Sequence, residues 1–193
     1  MAERRQVLAG IGAAAAVAGL GLWSFEHNGI VRRLTAGQAR ADGYPLKTLT
    51  AAEATTLEAL GEVLLPGARE AGIAHFVDHH LTVPAADSLL MLRYLDVPPP
   101  YAPFYQGGLA ALDALSQARH GREFAALGDE AATALVREIS APGPGPKGWR
   151  GAPAGLFYFA TRSDAVDVVY GTQAGFAKLG VPYMAHIVPE PKW

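Results

Sequence analysis

Three histidines lie close together in the sequence and are the residues best suited to metal chemistry. His75, His79 and His80 form an H-x-x-x-H-H pattern, with Asp78 between the first two. On a helix His75 and His79 are one turn apart, so both imidazoles could bind one metal ion. A metal site needs a third ligand, and the sequence nominates none. The simpler interpretation is an exposed polar face on a helix whose apolar residues pack inward.

Other patterns that resemble chemical motifs lack the context that their chemistry requires. Gly10 to Ala15 read G-x-G-x-x-A, but a dinucleotide fingerprint needs a preceding strand and a βαβ unit, which the sequence does not indicate. No serine lies in a nucleophile-elbow pattern. Cysteine is absent, which excludes thiolate catalysis, covalent c-type haem attachment and iron–sulfur ligation. We therefore expect no catalytic, cofactor-binding or metal-binding residue in this chain.

Two carboxylates lie three residues apart near the C-terminal end of the last long helical pattern. They are Asp164 and Asp167, and Arg162 precedes them. Charges at this spacing usually share a helix face that is in contact with water. The sequence therefore predicts a solvated stripe, or one that faces an interface.

The first 25 residues have the organisation of an export signal. Arg4 and Arg5 precede an apolar run that ends at Phe25. The arginine pair and the Gly/Ala-rich apolar run favour a twin-arginine signal over an ordinary secretory one, which needs only positive charge. No good cleavage site follows, so an uncleaved membrane anchor with Trp23 at the outer interface stays open. We expect a protein on the periplasmic side of the cytoplasmic membrane.

Length and composition limit the number of domains and the kinds of partner that the remainder of the chain can have. Of 193 residues, 50 % are hydrophobic and 18 % are charged, with a net charge of −2. The length after the leader suits one ordinary domain. No basic run follows the leader, so a nucleic-acid partner is not supported. The low charge suggests that another protein covers part of the apolar surface.

The helical pattern begins after a polar stretch. Residues 26–48 are basic and glycine-containing, and we interpret them as a tether. Thr50 and Glu53 then form a capping box, which opens a helical domain over residues 49–193. The predicted fold is all-α: an irregular bundle of five or six short helices with long loops, preceded by the signal or anchor helix. Helices are expected at about 50–64, 72–81, 87–95, 104–120, 129–140 and 154–170.

Two segments rich in apolar residues lack a helical period. One is the Gly/Pro-rich loop 141–153 and the other is the tail 171–193. Aromatic residues in such segments are good interface anchors. The residues predicted to contact a partner are Trp149, Tyr170, Gly171, Pro182, Tyr183 and Trp193.

The order of these elements resembles a known family. Leu49-Thr50-x-x-Glu53 is followed by Leu64 to Gly72 (LLPGAREAG) and by Phe76 to Leu81 (FVDHHL). Further along come Tyr105 to Asp113, Phe124 to Leu127, Tyr170-Gly171 and Gly180 to Pro182. The chain resembles the gluconate 2-dehydrogenase subunit 3 family, the small subunits of membrane-bound sugar dehydrogenases.

This resemblance implies a non-catalytic accessory subunit. Small subunits of this family pair with a large FAD-containing subunit of the glucose–methanol–choline oxidoreductase type. A cytochrome c subunit, which carries haem c, often takes the electrons. The leader of the small subunit carries the large subunit through the twin-arginine translocase.

A second hypothesis rests on the histidines. It describes an independent membrane-anchored binding protein, or a small metal-dependent enzyme that uses His75, His79 and His80. A flavoprotein that co-purifies with the chain would favour the first hypothesis.

Overall fold

The computed structural model describes residues 21–180. Within this range the chain is mostly helical, with eight α-helices and one two-stranded sheet. The strands are β1 (Trp23–His27) and β2 (Ile30–Leu34). The helices are α1 (Ala36–Ala41), α2 (Ala51–Leu64), α3 (Ile73–Thr82), α4 (Met91–Tyr94), α5 (Ala102–His120), α6 (Asp129–Ser140), α7 (Ala154–Tyr170) and α8 (Gln173–Lys178). Short 3₁₀ turns lie at Ala85–Asp87 and Phe124–Ala126.

The β-hairpin is the main departure from the predicted all-α fold. β1 and β2 pair antiparallel, with Trp23 opposite Leu34 and His27 opposite Ile30. Asn28 and Gly29 connect them, both with positive φ, at 53° and 75°. This is the conformation that a two-residue hairpin turn requires, and Asn-Gly is its preferred sequence.

The segment interpreted as a tether, residues 26–48, is folded, so that prediction was wrong. It contains β2 and α1, and Tyr44 is buried in the core. The carboxylate of Asp78 accepts hydrogen bonds from the backbone N–H groups of Lys47, Thr48 and Leu49, each 2.8 Å long. These three bonds satisfy backbone groups that a loop exposes, and they fix the approach to α2.

The boundary predicted at residue 25 also needs correction. Trp23 and Phe25 point from β1 into the hydrophobic core. Trp23 packs edge-on against Phe76, with ring centroids 5.3 Å apart. The folded unit therefore includes these aromatic residues, and Trp23 is a core residue of it.

Two helices organise the core. α2 contacts α3, α5, α6 and α7. α7 contacts α2, α3, α4, α5, α6 and α8. The predicted capping box is confirmed: Thr50 Oγ1 accepts from the Glu53 N–H, and the Glu53 carboxylate accepts from the Thr50 N–H. The predicted bounds of α6 and α7 are confirmed, and Gly121 ends α5 in the left-handed conformation.

The helix expected over residues 87–95 is shorter than predicted. A 3₁₀ turn ends at Asp87, the chain is extended at Ser88 and Leu90, and α4 begins only at Met91. Leu90 and Leu92 are buried. Two apolar side chains draw this segment onto α7, although it has no long helical period of its own.

The sequence expectations for the two ends of the chain lie outside the described residues. They concern Arg4 and Arg5 with the apolar run to residue 20, and Pro182, Tyr183 and Trp193 in the tail. None of the helices between residues 21 and 180 has the length and apolar character needed to span a membrane.

Candidate functional site

Helix α7 carries apolar side chains on two faces. The inner face packs into the core through Phe157, Ala160, Ala165 and Val168, all of them buried. A helix that is apolar all round is normally covered on every side. α7 is fully covered on its inner face and only partly covered on its outer face, which makes the outer face the first candidate for a binding surface.

We define the outer stripe as Leu156, Phe159, Val166 and Tyr170. At 100° per residue, these four side chains lie within about 80° of one another around the helix. Phe159 is 46 % exposed and Val166 is 40 % exposed, and Leu156 and Tyr170 are half-buried. Contiguous apolar surface of this kind is typical of sites that bind another protein.

An apolar groove adjoins the C-terminal end of the outer stripe. We call it the α4–α7 groove, and its volume is about 410 Å³. Its side chains are Trp23, Phe76, Leu89, Met91, Tyr94 and Asp167. Tyr94 is 60 % exposed, and Gly171, which directly follows α7, lies at the same groove. The stripe and the groove meet at Tyr170 and Gly171, which are consecutive in the chain.

A buried carboxylate fixes one wall of this groove. Asp164 is on the inner face of α7 and is fully buried. Its Oδ1 accepts from the backbone N–H of Met91 (2.9 Å), and its Oδ2 accepts from the hydroxyl of Tyr105. Burial raises the pKa of Asp164 to about 7, although both hydrogen bonds oppose the shift. Asp164 therefore joins α4 and α5 to α7.

The two aspartates of α7 have different environments. The predicted solvated stripe was wrong for Asp164. The two aspartates are offset by about 60° around the helix, and this offset is enough to place Asp164 in the core while Asp167 stays at the edge of the buried face. The Asp167 side chain lies at the groove and is exposed. It has no ion-pair or hydrogen-bond partner among residues 21–180. Partial burial raises the pKa of Asp167.

The histidines are placed differently from the predicted polar face. His75, His80 and Asp78 are buried, because the β-hairpin covers this part of α3. His75 Nε2 donates to the Tyr44 carbonyl oxygen (2.9 Å), and His80 Nδ1 accepts from the Leu89 N–H (3.3 Å). Burial lowers the pKa of His80 to about 3 and also lowers the pKa of His79.

This arrangement does not assemble a ligand set around the histidines. Among the described residues there is no group of three or more His, Asp or Glu side chains positioned to hold a metal ion. Instead the histidines pack against Trp23, Phe25 and Phe76. The metal-dependent alternative has no supporting geometry between residues 21 and 180.

Three of the predicted interface residues lie in the described range. Tyr170 belongs to the outer stripe, and Gly171 lies at the groove. Trp149 is half-buried, with its indole N–H donating to the Ala152 carbonyl oxygen (2.7 Å) and its ring 5.9 Å from that of Phe157. Trp149 therefore packs partly against the chain's own core at the N-terminal end of α7.

Sequence reasoning did not single out Phe159, Val166, Met91 and Tyr94 as a surface. The signal was present in α7, where apolar residues occupy both faces of one helix. It was absent for Met91 and Tyr94, because no local pattern indicates that α4 packs beside α7.

Comparison with known proteins gives one match. The model of the family described as gluconate 2-dehydrogenase subunit 3 matches residues 51–187, from the start of α2 into the tail. The searches of curated proteins and of solved structures gave no significant match.

Proposed function

Since the chain belongs to the gluconate 2-dehydrogenase subunit 3 family, we propose that it is the non-catalytic small subunit of an exported flavin-dependent sugar or alcohol dehydrogenase. The family name indicates a subunit of a multi-subunit dehydrogenase complex. In this proposal the large subunit holds FAD and performs the oxidation. The small subunit supports its folding, stability and export.

One observation carries this proposal on the structural side. The outer stripe of α7 and the adjoining groove place partly exposed apolar side chains next to one another, which is typical of surfaces that bind another protein. Phe159, Val166 and Tyr94 are large and exposed, and aromatic side chains in such patches commonly provide most of the binding energy. We propose that the large subunit covers this surface.

Further contacts extend this interface at both ends of α7. Trp149 lies near the N-terminal end, and Tyr170 and Gly171 lie at the C-terminal end. We propose that Pro182, Tyr183 and Trp193 continue it along the tail. A cytochrome c subunit with haem c would then receive electrons from the flavin subunit, without a redox group in this chain.

The leader gives the complex its route out of the cytoplasm. We propose that Arg4 and Arg5 direct the small subunit, with its bound partner, to the twin-arginine translocase. That route transports folded proteins, which suits a flavoprotein that binds its cofactor before export. The complex would then lie on the periplasmic side of the cytoplasmic membrane, held there by the N-terminus if the leader is not cleaved.

The direct experiment is affinity purification of the tagged chain from the exported fraction, followed by an absorbance spectrum. We expect a larger chain to co-purify and to carry the flavin absorbance, while the small subunit purified alone has none. Recovery of the small subunit without any flavin-containing chain would contradict the proposal.

Export is tested by replacing the arginine pair. Arg4→Lys with Arg5→Lys keeps the positive charge but removes the twin-arginine motif, so both subunits should remain in the cytoplasm. A matched control, Arg32→Lys with Arg33→Lys on β2, should leave export unchanged. Normal export of the leader variant would show that another route is used.

A further inference from the structure

The described chain begins at the rim of the α4–α7 groove. Gly21 is buried, and a Cβ added to it would lie 2.7 Å from Thr172 Cγ2. Thr172 directly follows Gly171, which lies at the groove, and the side chain of Trp23 forms part of the groove wall. Residues 1–20 therefore join the folded unit beside an open apolar surface.

The preceding segment has the composition to occupy this surface. Residues 7–20 read VLAGIGAAAAVAGL and contain no charged or hydrogen-bonding side chain. The segment joins Gly21 directly, so no linker is needed to bring its last residues to the groove rim. Before export it is an apolar segment in an aqueous compartment, and covering it removes that surface from water.

We propose that residues 7–20 of this chain occupy the α4–α7 groove while the small subunit is unassembled. The occupant is in cis, because its attachment point lies at the groove rim and the effective concentration of a directly attached segment is high. Trp23, Met91 and Tyr94 contact the apolar side chains of the leader. Asp167 remains at the water-facing edge, where its carboxylate is solvated.

This arrangement couples export to assembly, and it rests on the proposed function. The groove and the outer stripe meet at Tyr170 and Gly171, so a large subunit bound to the stripe competes for the groove. Binding of the large subunit releases the leader. An unassembled small subunit keeps its leader covered and is exported poorly.

The absence of cysteine makes crosslinking a clean test. Tyr94→Cys is combined in the full chain with a leader cysteine at Ala14, Val17 or Leu20, in three separate double variants. Oxidation of the dilute isolated chain should give an intramolecular disulfide in at least one of them. Its yield should exceed that of the matched control by about fivefold or more, because attachment in cis raises the effective concentration. The control pairs the same leader position with Glu130→Cys on α6, which does not line the groove.

Each outcome decides the inference. Equal yields for Tyr94→Cys and Glu130→Cys overturn it, and so does a disulfide that forms only between two chains, since a second copy would then be the occupant. Adding the large subunit should lower the intramolecular yield, and an unchanged yield in the bound complex overturns the coupling. If the large subunit does not bind at all, the proposed function fails, while the isolated chain still decides where the leader lies.

Discussion

The two faces of α7 have similar apolar content and opposite environments. On the inner face, Phe157 is fully buried and packs against Gly108 of α5. On the outer face, Phe159 is two residues away along the chain and is 46 % exposed. The difference shows that apolar content alone does not indicate the core of this protein. The inner residues hold this chain together, and the outer residues are available to another one.

The largest expected effect separates these two phenylalanines. Phe157→Ala should reduce the free energy of unfolding by about 3–5 kcal/mol, because it leaves a cavity between α5 and α7. Phe159→Ala should change it by less than about 1 kcal/mol, since much of its ring is already in water. Urea denaturation followed by circular dichroism measures both. Equal losses would mean that the outer stripe belongs to the core.

A second comparison uses the two aspartates of α7. Asp164→Ala leaves the Tyr105 hydroxyl and the Met91 N–H without their acceptor, and each unsatisfied group costs about 1–3 kcal/mol. The matched control is Asp167→Ala, which removes an exposed carboxylate and should cost less than about 0.5 kcal/mol. The same denaturation experiment measures both variants. A stable Asp164→Ala protein would show that α4 does not depend on this carboxylate.

The pH dependence of stability gives a finer test of the inner carboxylate. Burial raises the pKa of Asp164 from its ordinary value of 3.8 to about 7 in the folded protein. The folded state therefore binds this proton more tightly than the unfolded state does. Its contribution to the free energy of unfolding should therefore fall as pH rises from about 4 to about 7, by at most ~1.4 kcal/mol per pH unit. Asp164→Asn should lack this slope. If the wild-type and Asn proteins change in parallel, burial does not perturb the Asp164 pKa in this way.

The histidine under the β-hairpin should show the opposite slope. The pKa of His80 is lowered from 6.5 to about 3, so the unfolded state binds the proton more tightly. Stability should fall as pH drops from about 6.5 towards 3, by at most ~1.4 kcal/mol per pH unit for this residue. His80→Gln should remove that slope, whereas His120→Gln, at the exposed end of α5, should not. A slope that survives in His80→Gln would assign the effect to another group.

The sequence predicted the regular helices well because their signals are local. The capping box at Thr50 and Glu53, the left-handed Gly121 and the apolar period of α6 all lie within the helix that they define. The β-hairpin was missed because its strands have only five residues each. Its signal was the Asn28-Gly29 pair, with Trp23 and Phe25 alternating before it.

The buried polar residues could not be predicted in the same way. Asp78 and Asp164 satisfy backbone N–H groups that lie about 30 and 73 positions away in the sequence. Such long-range partners give no local pattern, so both aspartates resembled surface residues. The outer stripe was missed for a related reason: the spacing that predicts α7 does not say which of its two apolar faces is covered.

The central claim is that the outer stripe of α7 binds the large subunit. The most direct test is the affinity of the flavin-containing large subunit for the stripe variant Phe159→Ser with Val166→Ser. We predict that its dissociation constant rises by about 100-fold or more, since two buried anchors can contribute ~2 kcal/mol each. The control, Ile30→Ser with Val31→Ser, alters two exposed aliphatic residues on β2 and should bind as the wild type does. Wild-type affinity of the stripe variant, with its fold retained by circular dichroism, would contradict the account.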